Sequence, residues 1–240
     1  MKMIFSEHSK VKHTPFLMLH ICLPFIAALL FVSYYLLYRS TPNAKKLTLI
    51  LEITASFFPL LISIVVSMNI ALEEKASHFQ ALLAVPNRAK TIVGKLLYLY
   101  GAGIAALAFL FLVFSIGVWL FGLADAVQFK LLCKALLGIA WCHFVIYLLH
   151  LFLSLKFGFG VSLFCGVFEC LQSILYSNIE LKGAARSIPF AWSMAWIQDV
   201  LNDRISVYQT EWICFGIIII ALLYLFLIWF SHWEGRKNGE

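Results

Sequence analysis

EEKASHFQALLAVPNRAKTIVGK, residues 73–95, is a charged interlude between two long apolar runs, and its surroundings define the fold class. Of the 240 residues 62% are hydrophobic and only 12% charged, with a mean hydropathy of +0.92. Soluble domains are about half apolar and about a quarter charged. A chain of this composition cannot present a wetted surface, so it reads as an all-α polytopic membrane protein. Apolar runs near or above the 18-residue threshold for a spanning helix occur at 15–37, 47–72, 96–123, 135–155, 157–176 and 212–231. No polar stretch is long enough for a separate soluble domain, so residues 1–240 read as one six-span transmembrane domain.

Lys2, Lys10 and Lys12 precede the first run, as in a signal peptide, but that run is longer than the roughly 7–15 apolar residues of a signal core and no small-residue cleavage site follows. It reads as a retained span, and 1–13 as a short surface helix with Met3, Ile4 and Phe5 interspersed among charges. The formal charge of +6 does not point to nucleic acid. All six cysteines lie in or beside apolar runs without paired spacing, so neither a disulfide framework nor a zinc site is indicated. Six spans put both termini on one side. Assigning that side to the cytoplasm places ten Lys and Arg inside and eight outside, the direction of the positive-inside rule.

Within the charged interlude, Glu73, Glu74, Lys75, Ala76 and Gln80–Leu83 are helix formers. Phe79, Leu82 and Leu83 stand at i, i+3 and i+4 on one face, and Pro86-Asn87 ends the helix. The pattern predicts a short helix with an apolar ridge, acidic at its start and followed by Arg88, Lys90 and Lys95. Such a ridge suits insertion into a groove on another protein; the alternative is a loop helix lying flat on the membrane.

The segment SMNIALEEKASHFQALLAVPNRAKTIVGKLL (67–97) is similar to the connection between the second and third spans of six-helix ABC-type exporter permeases. The matching features are Glu73-Glu74, Ala81-Leu82-Leu83, Pro86, Arg88 and Lys95-Leu96; Ala84-Val85 departs from the pattern. The layout of six spans, a basic surface helix first and a semi-buried external helical excursion before the last span is also similar. The length and the external stretch IPFAWSMAW (188–196) resemble the small permease subunits of lantibiotic-immunity transporters. This resemblance implies that Glu73, Glu74, Phe79, Leu82, Leu83, Pro86 and Arg88 form a coupling helix docking on a cytoplasmic ABC ATPase. It implies a second permease subunit, identical or different, a surround of membrane lipid, and a lantibiotic or related peptide expelled across a bacterial plasma membrane to give self-immunity. No Walker-type sequence occurs, so ATP and Mg would be held by the ATPase and this chain would be a transport subunit rather than an enzyme.

Ionisable groups inside spans mark candidate functional positions. Glu169, with Gln172 one turn on, and Glu52 in the second span are read as a polar seam for a cationic peptide; the alternative for Glu169 is a hydrogen-bonded structural role. Phe190, Trp192 and Trp196 are candidates to touch the peptide, or to anchor an interfacial helix. His143 and His150 are seven residues apart, about 10 Å along a helix, too far to share a metal. Gly101/Ala105 and Ala102/Ala106 are small-xxx-small pairs that predict close helix packing. Two rival readings are an intramembrane protease or lipid-modifying enzyme, which needs a convergent catalytic group at membrane depth, and a passive peptide-binding immunity protein.

Overall fold

The structure is a computed structural model and describes residues 2–12, 14–123, 128–179, 182 and 186–236. The side chains of Lys2, Met3, Ile4 and Phe5, Lys237, and parts of the connections after the third and fifth spans lie outside the described residues. The helices run in the order α1 (Lys2–Val11), α2 (Pro15–Leu37), α3 (Asn43–Ser77), α4 (Gln80–Leu83), α5 (Arg88–Leu120), α6 (Phe129–Lys156), α7 (Phe159–Ser177), α8 (Trp192–Leu201) and α9 (Gln209–His232). A 3-10 turn, Pro189–Ala191, leads into α8. No strand occurs among the described residues. Six helices, α2, α3, α5, α6, α7 and α9, are long and apolar enough to cross a membrane, so the chain is a multi-pass membrane protein. The end of the bundle carrying α1 and the last turn of α9 is the terminal face, and the opposite end the far face.

Local chemistry sets the helix limits. The Thr14 hydroxyl accepts from the Phe16 amide at 3.3 Å and Pro15 occupies the first position of α2, where its missing N–H costs nothing. α3 ends where His78 (φ 45°) and Phe79 (φ 67°) turn left-handed, which lets their amides bond back to Glu74 and Glu73. The Asn87 side chain accepts from the Lys90 amide at 2.8 Å and starts α5. The charged interlude is therefore mostly absorbed by its neighbours. The predicted helix from Glu73 to Leu83 is cut in two: Glu73–Ser77 continue α3, and only the four residues Gln80–Leu83 form α4.

α3 and α5, with 35 and 33 residues, are each about 50 Å long, against about 30 Å of hydrocarbon. The excess of α5 falls at the terminal face, and that of α3 is divided between its two ends. At the terminal face α3 runs about 7 Å past its apolar run, and α5 begins about 12 Å before its own. In the bundle α3 and α6 are central, with 61% of their most apolar window buried, and α2 and α9 peripheral, with 22%. The expected packing through Gly101 and Ala105 does not occur within the chain: both are exposed and open space lies beside Gly101. The close approach is made two residues on, at Gly103, against the Tyr147 hydroxyl.

Candidate functional site

At the terminal face the sequence places Glu7 and Lys10 one turn apart on α1, Asn69 and Glu73 one turn apart on α3, and Lys95 on α5. These spacings put each pair on one helix face, and the three helices converge on one charge cluster. Lys95, fully buried, donates to the Glu7 carboxylate, to Asn69 Oδ1 at 2.8 Å and to Glu73 Oε1 at 2.8 Å. Lys10 donates to Glu7 Oε1 at 2.8 Å and to Glu73 Oε1 at 2.7 Å. Two lysines balance two carboxylates, so nothing in the group is left charged and unpaired. For Lys10, burial works to lower the pKa, but the hydrogen bonds and charges of Glu7 and Glu73 outweigh it and hold it above the ordinary 10.5. His8 Nδ1 lies 3.2 Å from the Tyr98 hydroxyl, a second tie between α1 and α5.

The apolar ridge beyond this cluster faces inward. Phe79 and Leu82 are 2% and 1% exposed. Residues following α9 cover Phe79: the Trp233 ring meets it at 5.2 Å, and the Arg236 guanidinium lies 5.6 Å from the same ring. Arg236 also donates to Glu74 at 3.1 Å and to the Ser154 carbonyl at 3.3 Å. Arg88 donates to the carbonyls of Leu83 and Trp233, at 3.0 and 3.3 Å. A ridge offered to a partner is thus corrected to a ridge that clamps the connection to its own bundle. Leu83 is half-buried, and Glu73 is sealed in the charge cluster. The connection instead opens His78, Gln80, Ala81, Ala84, Pro86, Asn87 and Lys90 to solvent, a polar and small-residue rim.

Deeper in the bundle, His150 Nδ1 lies 2.9 Å from Ser162 Oγ, and His150 Nε2 lies 3.1 Å from Glu169 Oε2. All three are buried, with Ser162 and His150 at 0% and Glu169 at 3% exposure. The Ser–His–Glu order is that of a hydrolase relay, but complete burial denies a substrate access to Ser162. The group joins α6 to α7 as a hydrogen-bonded tie, helped by Ser67–Ser154 at 2.9 Å between α3 and α6. Glu169 thus has a partner that sequence reasoning missed. The seven-residue His143–His150 spacing raises the question of a metal, whereas the relevant neighbours of His150 lie across the α6–α7 hairpin. Glu52 is half-buried, and no ion pair or hydrogen bond among the described residues links it to Glu169; Gln172 is half-buried beside the tie.

At the far face the excursion folds back into the bundle. Trp192 is fully buried and stacks on Phe215 at 4.2 Å. Trp196 donates to the Lys134 carbonyl at 3.0 Å, its indole lying where Gly138 leaves no side chain. Phe215 and Gly138 are about 9 and 13 Å along α9 and α6 from their far-face starts. Phe190 is half-buried, its carbonyl accepting from Ser173 at 3.4 Å. One buried arginine fixes the return. Arg186 bonds both Asp199 oxygens, at 3.1 and 2.6 Å, and Glu211 at 2.8 Å, with the Tyr208 ring 3.9 Å away. Bidentate, charge-assisted geometry of this kind is strong. The expected interfacial helix is therefore a buried one, and Trp192 is not exposed to lipid or solvent.

No group of three metal-ligating side chains occurs among the described residues. No protein-family model, curated protein or solved structure matches the chain.

Proposed function

We propose that this chain is the permease subunit of an ATP-driven exporter in a bacterial plasma membrane, with both termini in the cytoplasm. A separate ABC ATPase carries ATP and Mg and docks at the terminal face; a second permease, a copy or a relative, completes the pathway. The observation that carries this reading is the rigid projection of α3 and α5 beyond the bilayer. Both helices overshoot the hydrocarbon, their connection is clamped by Phe79, Leu82, Arg88 and Arg236, and α1 is locked to their bases through Lys95. A push on the polar rim at Gln80, Ala81 and Ala84 is then transmitted into two spans rather than absorbed by a flexible loop. The buried α8 closes the far face and is the element that must move for cargo to leave. A lantibiotic or related cationic peptide is the cargo implied by the resemblance at 188–196, with self-immunity as the outcome.

The Ser162–His150–Glu169 group does not favour the enzyme alternative, because it is sealed. The test is affinity purification of the full chain from its native membrane, wild type against an Ala81→Arg, Ala84→Arg variant. An ATP-hydrolysing subunit is expected with wild type and should be lost from a variant that inserts at normal levels. Equal recovery from both, or none with wild type where such ATPases are expressed, overturns the reading.

A further inference from the structure

A crevice lies between α2 and α3. α2 packs along α5 and barely touches α3, leaving a cavity of about 390 Å³ walled by α2 and α3 and floored by Gly103, Leu107 and Tyr147. Its α3 wall uses Thr54, Phe57, Leu61 and Val65, a single face at i+3 and i+4 spacing. The wall is dry: Thr54 bonds back to the Ile50 carbonyl at 2.8 Å, and His20 to the Phe16 carbonyl at 2.7 Å. Its rim residues Leu23, Leu30, Ile53 and Phe57 are exposed to the outside of the bundle, so it opens sideways into hydrocarbon.

The same α3 face continues through Met68 and Leu72 to Lys75, and there the chemistry changes. A second cavity of about 490 Å³ lies along it, with Thr14, Asn69 and Lys75 in its lining. Lys75 is exposed and has no ion pair among the described residues. The nearby carboxylates are already matched: Glu7 and Glu73 by Lys10 and Lys95, Glu74 by Arg236. The crevice thus ends at an uncompensated cation.

One leaflet offers about 15 Å of hydrocarbon and a headgroup layer of roughly 5–8 Å. From Lys75 it is about 15 Å along the helix to Val65, about 21 Å to Leu61 and about 33 Å to Ile53, so the depth of one leaflet reaches the near half of the apolar reach. We propose that the α2/α3 crevice binds one anionic glycerophospholipid, its acyl chain in the apolar reach and its headgroup phosphate at Lys75. The occupant is a lipid because the opening is lateral and at hydrocarbon depth. It is an anionic one because Lys75 is the charged side chain lining the mouth among the described residues. This site is independent of the transport reading.

Native mass spectrometry of the full-length chain in detergent, titrated with equal amounts of dioleoyl phosphatidylglycerol and dioleoyl phosphatidylcholine, tests it. At about 1 kcal/mol per lysine near the headgroups, the first lipid retained should be phosphatidylglycerol by about fivefold. Lys75→Gln should bring the ratio close to one and Lys75→Glu should reverse it, while Lys130→Gln on the far face leaves it unchanged. Ala27→Trp or Leu61→Trp, each filling the apolar reach, should remove the first binding event for both lipids while the melting temperature is retained. A preference that survives Lys75→Gln undiminished overturns the headgroup assignment. A first lipid kept with unchanged affinity in both tryptophan variants overturns the site itself.

Discussion

Replacing Lys95 by methionine removes the fully buried cation of the terminal-face cluster and leaves its partners in place. Glu7 and Glu73 remain 4% and 5% exposed at the side chain, and the lysine still reaching them is Lys10, 39% exposed. Breaking a buried pair by deleting one partner costs about 3–5 kcal/mol. Lys10 still serves one oxygen of each carboxylate, whereas the other Glu7 oxygen and Asn69 Oδ1 lose their donor. The lower end, about 3 kcal/mol, is therefore expected, or roughly 6–12 °C in melting temperature for a chain of this size. Removing the buried members together, as Glu7→Gln, Glu73→Gln, Lys95→Met, should restore most of that loss, because a buried pair replaced by uncharged groups is often neutral and Lys10, 39% exposed, can turn to solvent. Thermal unfolding followed by circular dichroism in detergent measures all three proteins, and proteolysis of α1 reports whether the helix has come loose. A Lys95→Met protein melting within about 2 °C of wild type, or a triple variant no more stable than the single one, would refute this sharing of charge between the two lysines.

The docking of α1 should weaken at high pH through Lys10. Lys10 has a pKa raised by folding, so its contribution is complete below the unfolded value of 10.5 and is lost as pH rises through the higher folded value. Protease cleavage within α1 should therefore accelerate as pH rises above about 10.5 in wild type, and less so in Lys10→Arg, which stays charged. Gly158, at φ 94° and ψ −172° with Arg236 packed against it, should tolerate alanine poorly, at a cost of about 1–3 kcal/mol in the same unfolding assay. Gly138→Leu should displace Trp196 and lower stability by about 1–3 kcal/mol, read as increased fluorescence quenching by acrylamide. Leu137→Ala, on the exposed neighbouring face, is the control and should leave quenching unchanged. Glu169→Leu should cost about 1–3 kcal/mol by leaving His150 without its partner, and Glu169→Gln, which keeps an acceptor, should cost less by the same melting measurement.

The six spans were legible because length and hydropathy alone decide which segments dissolve in a bilayer. Their ends were less so. The charges of Glu73 and Lys95 look like span limits in one dimension, but they neutralise each other across helices and let α3 and α5 run on. Periodicity put Phe79 and Leu82 on one face without saying which way that face points; the direction is set by Trp233 and Arg236, far away in sequence. The burial of α8 had a readable sign, since Trp192, Met194, Ala195 and Ile197 leave no continuous polar face, and a helix apolar nearly all round belongs in a core. Glu7 with Lys95, outside the apolar runs, and His150 with Glu169, inside them, carry no sequence signal of their pairing beyond being ionisable, because each pair joins different helices.

Docking of a soluble ATPase on the terminal face is tested most directly by placing a photo-crosslinking amino acid at position 81 or 82 of the full chain in intact cells. Ala81 is exposed and Leu82 is 1% exposed. The expected result is a crosslink from position 81 to an ATP-binding protein, its yield changed by trapping that protein with nucleotide, and from position 82 only internal crosslinks within this chain. A crosslink to the ATPase from position 82 but not 81 would contradict the inward-facing ridge, and no ATP-binding partner from either position would contradict the permease assignment.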